Sequence, residues 1–369
     1  MPRQFTGPGS IYQVHSSIEK LNAKRIFIVS GKRSYELSGA KEKLEEIPEG
    51  TESMRYFDFE ENPKFKDAAE GKKIITEFSP DLIIAIGGGS VIDIAKLLSV
   101  FPGDESEAEK MIRGEMKVPD KLAPMIAIPT TSGSGSEATH FAVVYINEVK
   151  YSLASKSLIP EYVILDSELT YSMTPYQTAV SGMDALCQAI ESFWAKGSTI
   201  ESRSFASKAI KLLLKNLEAA VNHPDSFIRE EMMKGAHLAG KAINISKTTA
   251  PHALSYSLTT LYGIPHGHAV ALTMGEFILH NSRSSGRQLK GRMEDLFTLF
   301  GCENACQSRN KFLSIMMNIG LETKLSEVVK ALKKTDIPRL VQSVNEERLG
   351  NHPIQVTKKD LLKILESIA

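Results

Sequence analysis

Short, unbroken apolar runs alternate with polar, helix-like stretches through the first half of the chain. Arg25-Ile26-Phe27-Ile28-Val29-Ser30 ends at Gly31, and Met54 to Phe59, Asp81 to Ile86 and Met125 to Pro129 repeat the form. Runs that are apolar at consecutive positions predict strands buried on both faces, and the segments between them predict a parallel sheet covered by helices. Between Phe141 and Asp166 two shorter pieces, Ala142 to Ile146 and Tyr162 to Leu165, predict a hairpin-like extension of that sheet. From Thr170 onward strand patterns stop. Ser202 to Val221, Ile228 to Ile243 and Leu325 to Leu332 place apolar residues at helical spacing. The expected organisation is an α/β domain over residues 1–169 followed by an all-helical domain over residues 170–369.

Length agrees with that division, because 369 residues suit about two domains at roughly 150 residues each. The 44 basic and 44 acidic residues cancel, so there is no electrostatic footprint for nucleic acid or an anionic membrane. No run approaches the roughly 18 apolar residues of a membrane span, and MPRQFTGPGS does not read as a signal peptide, which gives a cytoplasmic expectation. Cys187, Cys302 and Cys306 are too few and too irregular for a disulfide framework, and Cys302 and Cys306 read as buried thiols. The pattern leaves a homo-oligomer open.

Two loops carry candidate chemistry in the first half. Gly87-Gly88-Gly89-Ser90-Val91-Ile92-Asp93-Ile94-Ala95-Lys96 follows an apolar strand and opens a helix. Glycines there let backbone N–H groups approach a pyrophosphate, and a helix N-terminus favours the same anion. A glycine triplet alone serves equally well as a tight turn. The second loop, Thr130-Thr131-Ser132-Gly133-Ser134-Gly135-Ser136-Glu137, also follows a strand and offers hydroxyls to a phosphate, ribose or nicotinamide. Two such loops at strand carboxyl ends mark a nucleotide crevice. In the helical half, Asp184 and Gln188 share one helix face, His252 and Tyr256 repeat the four-residue spacing, and His266 follows. One carboxylate and two imidazoles suit Fe²⁺ or Zn²⁺ with an open position for a substrate oxygen.

Taken together, the Gly-Gly-Gly-Ser-x-x-Asp-x-x-Lys loop at 87–96, the Thr-Thr loop at 130–137, Gly182-Met183-Asp184-Ala185, and His252 with Pro265-His266-Gly267 resemble the iron-containing (group III) alcohol dehydrogenase family. The resemblance runs through nearly the whole chain. It implies a dehydroquinate synthase-like fold, a nucleotide-binding α/β domain followed by a helical metal domain. It also places the four metal-ligand positions on Asp184, Gln188, His252 and His266. Gln188 stands where the family has histidine, and its amide oxygen is the weaker donor. Tyr256 stands where relatives often carry a further histidine, and either supplies a proton or packs in the core.

The same comparison bears on cofactor and substrate. NAD-preferring relatives have an acid after the first strand, where this chain has Gly31-Lys32-Arg33, a composition that tolerates the 2′-phosphate of NADPH unless the two cations are merely solvated. Ahead of His252, Lys247-Thr248-Thr249 replaces a small apolar segment that borders the family's substrate pocket. The run Ser246-Lys247-Thr248-Thr249-Ala250-Pro251-His252 resembles the phosphonoacetaldehyde reductase branch. A cation and two hydroxyls suit an anionic substrate, whereas a lysine turned to solvent is the plain alternative. The implied activity is metal-dependent reduction of a small anionic aldehyde by NADPH or NADH, with phosphonoacetaldehyde going to 2-hydroxyethylphosphonate. Another alcohol or polyol dehydrogenase, a dehydroquinate synthase-like lyase or cyclase, and a non-catalytic nucleotide-binding protein are the alternatives.

Overall fold

The computed structural model describes residues 2–44, 50–147, 149–330, 332–333, 335–344 and 349–369. The chain separates into two compact units, Met1–Met173 and Thr174–Ala369.

In the first unit β1 (Arg3–Thr6), β2 (Arg25–Ser30), β3 (Glu52–Tyr56), β4 (Leu82–Gly87), β5 (Met125–Pro129) and β8 (Tyr162–Leu165) form a parallel sheet in the order β1-β8-β5-β4-β2-β3. Pleating sends alternate side chains to opposite faces, and both faces are apolar. Phe27, Val29, Ile83, Ala85 and Ala127 enter one core, while Ile26, Ile28, Leu82, Ile84, Ile86, Ile126 and Ile128 enter the other. Every residue of β4 and β5 is buried, which is why their sequences carry no polar alternation.

The hairpin expectation is corrected in its pairing. Tyr162–Leu165 lies within the main sheet, parallel to β1 and β5. Phe141–Ile146 is β6 and pairs antiparallel with β7 (Val149–Ala154) in a separate two-stranded sheet. β7 escaped notice because its side chains are mostly half-buried or exposed.

The second unit is helical among the described residues. Its central helix, Pro175–Trp194, starts at a capping box between Thr174 and Gln177, with Pro175 in the first turn. From Gly182 to Trp194 every residue is buried, so the helix is enclosed by its neighbours rather than lying on a surface. Ile200–Asn222, Ser226–Ser246 and His266–Ser282 pack around it. The helix expected over Leu325 to Leu332 is shorter, Leu325–Val328, and Ala331 lies outside the described residues. The cysteines are free; Cys187 is buried, but Cys306 is exposed and Cys302 half-buried, so the buried-thiol expectation for that pair does not hold.

Candidate active site

In the α/β unit β2 is flanked by β3 on one side and β4 on the other, so the chain reverses its direction of travel across the sheet between β2 and β4. Ligands of open α/β sheets bind outside the strand carboxyl ends at such a point. Gly87, Gly88 and Gly89 lie there, and the Gly89–Val100 helix begins with no side-chain cap, leaving its first N–H groups for a ligand. The loop after β5 is held against them by the Thr130 N–H, which donates to the Gly87 carbonyl at 3.0 Å. A Cβ on Gly89 would lie 2.6 Å from Ser134 Oγ, so glycine is what lets the two loops close up. Thr131 and Ser134 are half-buried beside the glycines. The Ser90 hydroxyl accepts from the Asn62 N–H.

Asp93, expected from the sequence to lie at the cofactor, ties the glycine helix to the neighbouring loop. Its carboxylate accepts from Ser136 Oγ and from the Val143 N–H. Lys96 is wholly buried and donates to the carbonyls of Ser136, Thr139 and Phe141 at 2.6, 2.7 and 2.9 Å. Burial lowers the Lys96 ammonium to about 8 against the pull of Asp93 and Glu137. Asp93 and Lys96, three residues apart on one helix, thus fasten the 130–141 segment to the glycine helix.

The helical unit gathers a second polar cluster. Asp184, His252 and His266 each offer one ligand atom, and those atoms lie within 4.8 Å of one another. His252 Nε2 and His266 Nε2 stand 3.3 and 3.9 Å from Asp184 Oδ1. Bonds of roughly 2.0–2.2 Å to one ion require separations of this kind. The helix from His266 comes close enough only because residue 267 is glycine: a Cβ there would lie 2.0 Å from the Val180 carbonyl oxygen.

The hydrogen-bond state of the cluster tests whether a metal fits. Asp184 Oδ1, Gln188 Oε1 and His252 Nε2 are buried and have no partner of hydrogen-bonding geometry among the described residues. Buried polar atoms are ordinarily satisfied, and three such atoms left over on Asp184, Gln188 and His252 fit a bound cation. Gln188 Oε1, one turn beyond Asp184, is among them and so is available as a fourth donor beside one carboxylate and two imidazoles. Burial opposes charge on His252, but Glu191 and Asp184 outweigh it and raise the imidazole to about 9. Burial also favours the neutral form of Asp184, yet His252 and His266 hold its carboxyl below the ordinary range. The cluster is therefore built around positive charge.

Comparison with known proteins decides what the two halves belong to. Residues 2–167 match the iron-containing alcohol dehydrogenase family, and residues 178–369 match the C-terminal part of the Fe-containing alcohol dehydrogenase family. The chain belongs to the iron-containing alcohol dehydrogenases. It is similar to an NADPH-dependent butanol dehydrogenase of Clostridium saccharobutylicum, with 29% identity over 99% of this chain and 97% of that one. A sulfoacetaldehyde reductase of Bilophila wadsworthia is 28% identical over 98% and 96% of the two chains. The solved sulfoacetaldehyde reductase of Bifidobacterium kashiwanohense in complex with NAD⁺ superposes with a TM-score of 0.91 at 30% identity, covering 100% of this chain and 96% of that one. The protein is an NAD(P)-dependent alcohol or aldehyde oxidoreductase of this family.

Within the family framework one residue escaped sequence reasoning. Glu191 is completely buried and accepts from His252 Nδ1, from the Thr249 N–H at 2.6 Å and from the Thr249 hydroxyl at 2.7 Å. A carboxylate on the far nitrogen orients a ligating imidazole and raises its basicity. Ser255 does the lesser version for His266: its hydroxyl donates to the His252 carbonyl at 2.8 Å and contacts His266 Nδ1 at 3.3 Å. Tyr256 stacks its ring on His266, with centroids 5.7 Å apart.

The proposed anion-binding run is not used as one unit. Thr249 is buried, and its hydroxyl is taken by Glu191 and by Trp194 Nε1, which donates to it at 3.1 Å. It serves the histidine rather than a substrate. Thr248 is half-buried and Lys247 exposed.

Among the described residues, no helix is long and apolar enough to cross a membrane.

Proposed function

We propose that the enzyme reduces a small anionic aldehyde to its alcohol, the favoured pair being phosphonoacetaldehyde and 2-hydroxyethylphosphonate. Lys247 carries this reading. Its backbone sits at φ 60°, ψ 173°, a region costing a side-chain-bearing residue about 1–3 kcal/mol. Asn351 clamps it by donating to the carbonyls of Ser246 and Thr248 on either side, at 2.8 and 2.9 Å. Strain of this kind, spent on an exposed lysine five residues ahead of His252, is accounted for by presenting the ammonium to an anion. The sulfoacetaldehyde reductases among the relatives add support, since a sulfonate is such an anion. An uncharged alkyl aldehyde is the second reading, favoured by the butanol dehydrogenase relative.

When bound, a divalent ion, Fe²⁺ or Zn²⁺, supplies Lewis acidity and the reduced nicotinamide supplies hydride. Asp184, Gln188, His252 and His266 would hold the ion. Glu191 keeps His252 turned so that Nε2 faces Asp184. Lys247 binds the phosphonate, and Tyr256, against His266, is the side chain assigned to proton delivery.

The test compares kcat/KM for phosphonoacetaldehyde, sulfoacetaldehyde and butanal in wild-type and Lys247→Ala enzyme. Lys247 is exposed, so its loss should lower efficiency on the phosphonate by about tenfold and leave butanal unchanged. Equal wild-type efficiency on charged and uncharged aldehydes would overturn the anionic reading.

A further inference from the structure

The nucleotide crevice contains a cation that the sequence does not single out. Arg55 lies near the end of β3, paired in register with Ile28 of β2. Its guanidinium reaches across to the β2 carboxyl end, where Nε donates to Ser30 Oγ at 2.6 Å and Nη2 to the Gly31 carbonyl at 3.0 Å. The rings of Tyr35 and Phe57 each lie 4.4 Å from it. All these partners are neutral, and among the described residues no carboxylate pairs with Arg55. Lys32 differs: its ammonium stands 3.7 Å from Asp58 Oδ1, with both side chains well exposed. Arg33 carries no ion pair among the described residues either, but it is exposed, whereas Arg55 is half-buried and oriented by fixed contacts beside Gly31.

We propose that Arg55 is the receptor for the 2′-phosphate of an NADPH-type dinucleotide and sets the enzyme's preference for it. The proposal rests on the β2–β4 crevice being the nucleotide site. Guanidinium geometry matches a phosphate, and a rigidly held cation loses little freedom on pairing. Gly31 contributes by bearing no acid that would neutralise Arg55 first.

The test is calorimetric titration of the full chain with adenosine 2′,5′-bisphosphate and with 5′-AMP, without substrate. The wild-type protein should bind the bisphosphate at least tenfold more tightly, by an advantage that shrinks as salt rises. Arg55→Gln should bring the ratio near one while 5′-AMP affinity stays within twofold, and Arg55→Lys should keep part of the preference. Lys32→Gln should change the ratio less than Arg55→Gln does. A wild-type ratio near one overturns the proposal, as does an unchanged ratio in Arg55→Gln. Parallel loss of both ligands in Arg55→Gln would make Arg55 a staple of the Gly31 turn instead. If the wild-type protein binds neither adenosine ligand, the crevice assignment fails and the proposal with it. The wild-type ratio and its salt dependence decide the matter even if Arg55→Gln does not fold.

Discussion

Two buried polar clusters, one in each unit, use similar residues to opposite ends. In the α/β unit Asp93 and Lys96 sit one helical turn apart, and their polar atoms are engaged by Ser136, Thr139, Phe141 and Val143. In the helical unit Asp184 and Gln188 sit one turn apart as well, yet among the described residues Asp184 Oδ1, Gln188 Oε1 and His252 Nε2 lack a partner of hydrogen-bonding geometry. A satisfied network in low dielectric fixes a conformation, whereas an unsatisfied one is tolerable only where something else completes it. Hydrogen-bond state, more than residue type, thus separates scaffold from site.

The sharpest way to break the comparison is to remove one member from each cluster. Lys96→Met leaves three buried carbonyls short of a donor and Asp93 short of its cation, so unfolding free energy should fall by about 3–5 kcal/mol. His266→Ala should abolish tight metal binding and turnover together, with a far smaller change in the stability of the metal-free protein. Denaturant titration and metal quantification on both variants check this. A metal-free His266→Ala protein as destabilised as Lys96→Met would show that the second cluster is scaffold too.

A smaller effect tests the link between the two kinds of role, because Glu191 is fully engaged yet serves the metal cluster. Glu191→Gln keeps the shape and can still accept from Thr249, but it removes the negative charge behind His252. Metal affinity should drop by about 10–100-fold, measured by chelator competition, while the fold persists. Unchanged affinity would mean that Glu191 only ties Thr249 to the central helix.

What was legible in the sequence follows from how many constraints act on each position. β2, β4 and β5 stand out because burial on both faces demands an apolar residue almost everywhere. β1 does not, because Arg3-Gln4-Phe5-Thr6 is an edge strand with exposed ends. Asp184, His252 and His266 were readable as ligand types, but Glu191 resembles any helical glutamate. The available signal was its position seven residues after Asp184, on the same face of an otherwise apolar helix. Arg55 had no such signal, since its meaning depends on the pairing of β3 with β2. That Asp93 also holds Ser136 and the Val143 N–H was not legible, because a carboxylate beside a glycine loop looks the same in sequence whether it faces a ribose or a serine.

The smallest expected effect concerns Lys247, where strain and function meet in one residue. Its φ of 60° and ψ of 173° form a combination that glycine adopts without a Cβ penalty. Lys247→Gly therefore removes strain from the folded state, against which the greater chain entropy of glycine in the unfolded state must be set. Because the strain term of about 1–3 kcal/mol exceeds the usual entropy cost of about 0.5–1 kcal/mol, the net result should be a stabilisation of about 1 kcal/mol. The same change deletes the ammonium, so activity on phosphonoacetaldehyde should fall about tenfold while that on butanal holds. Equilibrium unfolding and kcat/KM measured on one preparation read both effects. Greater stability with lower activity on the anion would identify the strain as the cost of presenting the charge. Greater stability with undiminished activity would leave the conformation a local accident of the Asn351 clamp.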